Sequence, residues 1–245
     1  MIDLHCHLLP GVDDGPETMD ETVAYAQAAV RAGTERIVAT PHVEHVDVTE
    51  LPARVAEVRA ALMSEGIELH VERGGELKPF SIPSLSQDEL DLIAHGPPGR
   101  RWVLLEVPFR GLGESLLAAI EELDGRGFAA LLAHPERAKR FRDSVPVLRE
   151  HLDRGGAVQM NVGPLTGHES GEREESARRL VRAGLATALA TDAHPPGRPY
   201  TLRLGAELVV AAGASADDAA SLVEDGPREL LSEGLSFRTG SPGTS

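Results

Sequence analysis

Short apolar runs alternate with longer helical stretches along nearly the whole chain. This alternation is typical of parallel strands that are connected by helices. The predicted strands cover residues 2–7, 36–40, 68–74, 102–108, 128–133, 157–161 and 186–191, and the predicted helices cover 17–32, 51–65, 87–94, 112–126, 144–154, 172–183 and 202–212. Seven units of this kind predict an α/β fold, a distorted (β/α)7 barrel that resembles the eightfold TIM type but is one unit short. A doubly wound open sheet is the alternative arrangement.

Five of the predicted helices are followed by a glycine, at Gly33, Gly66, Gly127, Gly155 and Gly184. Glycine is common there because it adopts the left-handed conformation that ends many helices. The chain has 245 residues, a length that suits one domain with a large buried core. We therefore expect a single barrel domain over residues 1–235 and a flexible tail over 236–245.

The charge balance limits the classes of partner. The formal net charge is -15, which disfavours nucleic acid because such binding depends on Lys and Arg that neutralise phosphates. No run reaches the roughly 18 apolar residues of a membrane span, and residues 1–5 lack the basic and apolar regions of a signal peptide. We expect a cytoplasmic protein with no membrane insertion. Cys6 is the only cysteine, so an intrachain disulfide and cysteine-rich zinc sites are excluded.

Residues that commonly bind metals collect at the ends of the predicted strands. His5 and His7 lie two residues apart on the first strand, so they point the same way and can share one metal, whereas Cys6 points to the helices as a buried structural residue. The other candidates lie at or just beyond the carboxyl ends of later strands: His42, Glu76, Glu106, His134, Asp192 and His194. In a β/α barrel these ends meet at one mouth, where active sites are built.

The set therefore predicts a metal centre. Mixed imidazole and carboxylate ligands suit manganese, iron or zinc. Sites with two or more such ions are typical of phosphoester hydrolases, because the ions polarise phosphoryl oxygens and acidify a bound water. Arg137 follows His134 by three residues and is expected to bind a phosphate at the same mouth.

Several motifs resemble those of a known superfamily. IDLHCHLLPGVDDGP at 2–16, ATPH at 39–42, LAHPER at 132–137 and TDAH at 191–194 are similar to the polymerase-and-histidinol-phosphatase (PHP) superfamily. Within it, the first motif, EVPF at 106–109 and HPER resemble the bacterial metal-dependent tyrosine-protein phosphatases linked to capsule and exopolysaccharide synthesis. The likeness covers about the first two hundred residues.

The resemblance implies a distorted seven-stranded barrel that holds three divalent metal ions, with manganese favoured and iron or zinc as alternatives. It places the ligands in three groups: His5, His7, Glu76 and Asp192; Glu76, Glu106 and His134; and Asp14, His42 and His194. From the residues alone, Asp13 and Asp14 are equivalent. The resemblance also implies that Arg198, after Asp-Ala-His, helps Arg137 to bind phosphate, although its spacing from the motif is one residue shorter than in similar proteins.

The expected reaction is hydrolysis of phosphotyrosine on a protein. The nucleophile is predicted to be a metal-bound water or hydroxide, because Val12 stands where a cysteine-dependent phosphatase needs an arginine. Asp14 or His194 would protonate the leaving phenolate. The resemblance implies that the substrate is the tyrosine-rich tail of a polysaccharide-assembly kinase, and that a homo-oligomer can form. The alternatives are a small-molecule phosphatase such as histidinol-phosphatase, a phosphodiesterase, and a non-catalytic metal-binding module.

Overall fold

The computed structural model describes residues 1–139, 141–169 and 171–236, so the predicted tail beyond Ser236 lies outside the described residues. Its strands are β1 (Ile2–Cys6), β2 (Arg36–Ala39), β3 (His70–Arg73), β4 (Glu76–Leu77), β5 (Trp102–Glu106), β6 (Ala129–Ala133), β7 (Ala157–Asn161) and β8 (Ala188–Ala190). Its α-helices are α1 (Met19–Arg31), α2 (Leu51–Ser64), α3 (Gln87–Ile93), α4 (Glu114–Gly125), α5 (Phe141–Asp153), α6 (Gly171–Ala183), α7 (Leu202–Ala211), α8 (Ala216–Val223) and α9 (Asp225–Ser232). Each predicted strand and helix is present, with the bounds of β7 as predicted and one or both ends of the others shifted.

The strands form two parallel sheets, in the orders β1-β2-β3 and β4-β5-β6-β7-β8. Backbone hydrogen bonds join the sheets at two places: the N–H of Glu76 donates to the carbonyl of Pro41, just beyond β2, at 3.0 Å, and the N–H of His7 donates to the carbonyl of Ala193 at 3.0 Å. The strand order follows the chain without the reversal of a doubly wound sheet. The predicted distorted α/β barrel is therefore confirmed.

A pair of glycines divides the third predicted strand into β3 and β4. A Cβ atom on Gly74 would lie 2.6 Å from Val38 Cγ1, and one on Gly75 would lie 2.8 Å from Val43 Cγ1. Only glycine allows the backbone to pass this close to its neighbours. The chain crosses here from one sheet to the other and brings Glu76 to the carboxyl end of the barrel.

The register of β1 shifts between Asp3 and Cys6. Leu4 packs in the cluster that fills the barrel, whereas Cys6 packs in the larger cluster between strands and helices. Such a shift leaves backbone groups without a strand partner. Asp3 supplies one, since its Oδ1 accepts the N–H of His5 at 3.2 Å and that of Thr191 at 3.1 Å. Cys6 is buried, as predicted.

Helices α8 and α9 follow the last predicted helix and were missed. Leu230 of α9 joins the barrel's interior cluster, and its carbonyl accepts a hydrogen bond from Trp102 Nε1 at 2.7 Å. Helix α9 thus closes the amino end of the barrel. Among the described helices, none has the length and apolar character needed to span a membrane.

The five predicted glycine stops are confirmed. Their φ angles are 94° for Gly33, 66° for Gly66, 83° for Gly127, 88° for Gly155 and 60° for Gly184. These values lie in the left-handed region, where a side chain is strained. Helix starts are equally well marked, because Thr18, Ser86 and Ser215 each form a capping box.

Candidate metal centre

The nine predicted metal ligands converge at the carboxyl end of the barrel. Six are buried, two are partly buried and Asp14 lies at the exposed rim. The residues form four overlapping groups, in each of which one nitrogen or oxygen per residue lies within 4.8 Å of the others: His5, His7 and Asp192; His5, Glu76 and His134; His42, Glu76 and Glu106; and His7, Asp14, His42 and His194.

The deepest group surrounds the two histidines of the first motif. The Nε2 atoms of His5 and His7 are 3.3 Å apart. Asp192 Oδ1 lies 3.4 Å from the first and 3.5 Å from the second, and Glu76 Oε2 lies 3.4 Å from both. Both carboxylates thus lie within 3.5 Å of both imidazoles, so the structure brings the four residues of the first predicted set together.

Glu76 connects this group to the next two. Its Oε1 lies 2.9 Å from His134 Nε2, and its Oε2 lies 3.1 Å from His42 Nδ1. Glu106 groups with Glu76 and His42, not directly with His134. Burial, and then repulsion by Glu76, raises the pKa of Glu106 to about 7. The second predicted set is therefore brought together around Glu76, with His134 and Glu106 on different sides of it.

The third predicted set lies at the rim. Asp14 Oδ1 is 3.0 Å from His194 Nε2 and 3.7 Å from His42 Nε2. The ring of His7 stacks on that of His194 with 3.8 Å between centroids, so the rim group shares a histidine with the deepest one. His45 lies further out, with its ring centroid 6.0 Å from that of His42.

Three buried imidazole nitrogens fit the interpretation as a metal centre. His42 Nδ1, His134 Nδ1 and His194 Nε2 make no hydrogen bond of correct geometry within the described residues. A buried polar atom of this kind is costly unless a ligand or water satisfies it. Burial also lowers the pKa of His42 and of His134, which keeps both rings in the neutral form that binds metals. The residues present therefore suit divalent cations held by nitrogen and oxygen.

Both predicted phosphate-binding arginines reach this mouth. Arg137 Nη1 lies 3.3 Å from Asp192 Oδ2, and Arg198 Nη1 lies 3.6 Å from the same oxygen. Reciprocal backbone hydrogen bonds between His194 and Arg198, at 3.1 and 2.9 Å, hold the loop that carries Arg198. The two side chains are 29% and 35% exposed, so they border both the buried ligands and the solvent.

Comparison with known proteins decides the family. The model of the capsular polysaccharide synthesis family CpsB/CapC matches residues 1–231. The chain belongs to this family. It is 32% identical over 198 residues to the tyrosine-protein phosphatase YwqE of Bacillus subtilis, covering 79% of this chain and 77% of the relative. It is 24% identical over 248 residues to the tyrosine-protein phosphatase CpsB of Streptococcus pneumoniae, covering 96% of this chain and all of the relative.

Solved structures agree with the CpsB/CapC assignment. A crystal structure from work on YwqE and CpsB, described as unique metal-dependent tyrosine phosphatases, matches with a TM-score of 0.80 and 28% identity over 100% of both chains. The phosphotriesterase homology protein of Escherichia coli matches with a TM-score of 0.63 at 13% identity, over 93% of this chain and 97% of that one. The second match shows a shared fold alone.

In this CpsB/CapC protein the two neighbouring aspartates have different surroundings. Asp14 belongs to the rim group, whereas Asp13 lies behind His7, with its Oδ2 2.6 Å from His7 Nδ1. The same oxygen accepts the N–H of His42 at 2.9 Å. A carboxylate on the far nitrogen fixes the tautomer and direction of a ligating imidazole. The sequence placed both aspartates in one turn but did not separate these roles.

A second supporting chain of hydrogen bonds comes from β7 and was missed. Gln159 Oε1 lies 3.0 Å from His5 Nδ1, Gln159 Nε2 donates to Asn161 Oδ1 at 2.7 Å, and Asn161 Nδ2 donates to Asp192 Oδ2 at 2.6 Å. Buried Glu136 accepts the N–H of Asn161 at 2.8 Å. The signal was available, since Gln159 and Asn161 are two polar residues on one face of an otherwise apolar strand.

The backbone is strained at two of the candidate ligands. His134 has a φ of 37° and Asp192 a φ of 45°, and among the described residues these are the non-glycine positions with positive φ. Each such residue costs of order 1–3 kcal/mol and persists only where its surroundings enforce it. The strain turns both side chains from the ends of β6 and β8 into the metal centre.

Proposed function

We propose that this chain is a metal-dependent protein-tyrosine phosphatase that hydrolyses phosphotyrosine in a protein substrate. The observation that carries the proposal is the convergence of four histidine-carboxylate groups and two arginines at one mouth. The names of YwqE and CpsB and the matching crystal structure support the same activity. We further propose that residues 1–235 act as one domain in the cytoplasm.

The proposed metal content is three ions, with manganese favoured. By the motif resemblance, one would be held by His5, His7, Glu76 and Asp192, a second by Glu76, Glu106 and His134, and a third by Asp14, His42 and His194. The structure instead groups Glu106 with Glu76 and His42. Divalent cations there would polarise the phosphoryl oxygens and acidify a water. Hydrogen bonds with Asp13, Gln159 and Asn161 orient the ligand side chains from outside the metal centre.

The arginines and the rim pair have separate tasks in the proposed reaction. Arg137 and Arg198 would donate hydrogen bonds to the free phosphoryl oxygens. These hydrogen bonds strengthen as negative charge develops in the transition state. Both guanidinium groups lie near Asp192 Oδ2, so a phosphate could accept hydrogen bonds from two donors that are already close together. Asp14 and His194, whose Oδ1 and Nε2 atoms are 3.0 Å apart at the rim, would pass a proton to the departing phenolate from a water bound beside them, because each must itself be deprotonated to hold the third ion.

For the substrate we propose a phosphotyrosine segment of a kinase that takes part in capsule assembly. The support is the description of the family, which ties it to capsular polysaccharide synthesis. Asp14 is 62% exposed and marks the open side of the centre, where a peptide has access.

The test is a side-by-side assay of metal-reconstituted protein on a phosphotyrosine peptide, histidinol phosphate and a bis-aryl phosphodiester. A chelator and an Asp192→Ala variant serve as controls. Metal-dependent release of phosphate from the peptide, absent in both controls, is the expected result. Preference for histidinol phosphate would make the chain a small-molecule phosphatase, preference for the diester a phosphodiesterase, and metal binding without turnover a binding module.

A further inference from the structure

Two phenylalanines stand on the surface beside the metal centre. Phe128 and Phe141 are buried in the core, whereas Phe80 is 72% exposed and Phe109 is 50% exposed. Aromatic side chains contribute most when they are covered, so a pair that is left open at a functional mouth indicates a binding surface.

Their positions along the chain explain why they meet there. Phe80 follows β4, the strand that supplies Glu76, and Phe109 follows β5, the strand that ends with Glu106. Both therefore project from the carboxyl end of the barrel. They line one cavity of about 430 Å³, whose walls are completed by Pro79 and Pro108. This volume lies within the range of small-ligand sites.

The cavity and the candidate metal centre share one residue. Glu106 lines the cavity and also groups with His42 and Glu76 among the candidate ligands. Lys78, the cation of this cavity, is already paired with Glu44. A ligand that occupies the cavity thus meets apolar rings along its length and the metal centre at the end marked by Glu106.

Phe109 is held in place by neighbouring cations. Lys139 Nζ lies 5.0 Å and Arg173 Cζ 5.7 Å from its ring centroid, within the range of cation–π contacts. The N–H of Lys139 also donates to the carbonyl of Phe109 at 2.8 Å. The wall is therefore tied to the segment that carries Arg137, and its position relative to the phosphate-binding group is set before a ligand enters.

We propose that Phe80 and Phe109, with Pro79 and Pro108, form the subsite for the aryl ring of the substrate and determine specificity for aryl over alkyl phosphates. A phenyl ring between these walls would place its phosphate at the metal centre beyond Glu106. An alkyl phosphate of the phosphoserine type would leave both rings exposed to water. The inference rests on the proposed phosphatase function, whose substrate it would select.

The test measures binding without turnover. Phenylphosphonate and methylphosphonate are titrated by calorimetry into manganese-loaded protein, because their carbon–phosphorus bonds are not hydrolysed. We expect the wild type to prefer the phenyl compound, and Phe80→Ala and Phe109→Ala each to reduce that preference by about 3- to 10-fold. Affinity for methylphosphonate should not change. Phe109→Trp should retain the preference, and Met63→Ala, which alters an exposed apolar residue in a different cavity, should have no effect.

The outcomes separate this inference from the proposed function. A wild type that binds both phosphonates equally, or neither, would overturn the subsite, as would variants that weaken both compounds by the same factor. The peptide assay reports the phosphatase activity independently. If Phe109→Ala fails to fold, Phe80→Ala decides, because Phe80 lies on an exposed turn with few contacts to lose.

Discussion

The two ends of the barrel are built from opposite kinds of residue. At the amino end, Trp102 is buried, its Nε1 donates to Leu230, and Ile2 and Leu4 pack against the same interior cluster. At the carboxyl end, the barrel is filled by imidazoles and carboxylates, and three ring nitrogens make no hydrogen bond of correct geometry within the described residues.

This difference divides stability from function. Apolar packing and satisfied hydrogen bonds at the amino end lower the free energy of the folded state. The carboxyl end contains gathered carboxylates and the strained residues His134 and Asp192, which raise it. Substitutions at the carboxyl end should therefore lower activity with little loss of stability. Substitutions at the amino end should lower stability with little direct effect on activity.

The largest effect is expected for Asp192→Asn. Asparagine tolerates the positive φ of this position and keeps the shape of the side chain, but removes its charge. Because metal ions contribute several kcal/mol to phosphoryl transfer, we expect kcat/KM for a phosphotyrosine peptide to fall about 1000-fold. Metal content by mass spectrometry and thermal unfolding of the metal-free protein accompany the assay. A variant that loses activity because it unfolds would contradict the division between the ends.

At the amino end, Leu230→Ala should have the opposite profile. Its side chain is 3% exposed and fills the base of the barrel, so its loss should lower the free energy of unfolding by about 3 kcal/mol through lost burial and a cavity. Denaturant titration read by Trp102, the single tryptophan, measures this directly. Leu117→Ala, at a leucine that is 43% exposed, is the matched control with little expected change. Weaker metal binding in Leu230→Ala at permissive denaturant would show that the ends are coupled.

The sequence predicted the carboxyl end of the barrel better than the amino end. The periodic strands and glycine stops were sufficient for the barrel, because each is a local signal. Helices α8 and α9 were missed although both are amphipathic, because each has only eight residues and the role of α9 depends on contact with Trp102, more than 100 positions earlier in the chain. The break between β3 and β4 depends likewise on packing of Gly74 and Gly75 against Val38 and Val43.

In the site, residue type and position at the strand ends were enough to predict the ligands. They did not predict the residues that hydrogen-bond to those ligands. Asp13 and Asp14 are adjacent and chemically identical, so only the turn around Gly15 determines which one faces the centre and which one faces His7. The shift in β1 could not be predicted either, since it depends on Asp3 pairing with Thr191. Such supporting contacts join residues that are distant in sequence.

His95 offers a pH-dependent measure of the packing beside Trp102. Burial lowers the pKa of His95 to about 4, and the ring lies 5.1 Å from that of Trp102, facing Glu72, Arg73 and Arg101. The unfolded chain takes up a proton near pH 6.5, before the folded one does. The contribution of this residue to the free energy of unfolding is therefore fully present above about pH 6.5. It falls by roughly 3 kcal/mol as the pH is lowered to about 4. The free energy of unfolding of His95→Gln should fall less over this range; parallel curves would refute the assignment.

The smallest effect is expected for Asp13, which does not belong to the ligand groups but hydrogen-bonds to two of their histidines. Asp13→Asn removes the carboxylate that accepts from His7 Nδ1 and from the N–H of His42, while it leaves the size of the side chain unchanged. We expect metal affinity and kcat/KM to fall about 10- to 100-fold, as for other groups that orient a ligating histidine. Added manganese should restore much of the activity, because the ligands themselves remain. In Asp14→Asn a ligand of the rim group is lost, so excess manganese should restore less. Equal rescue of the two variants would mean that Asp13 and Asp14 do not divide these roles, and that the supporting layer extends to the rim of the barrel.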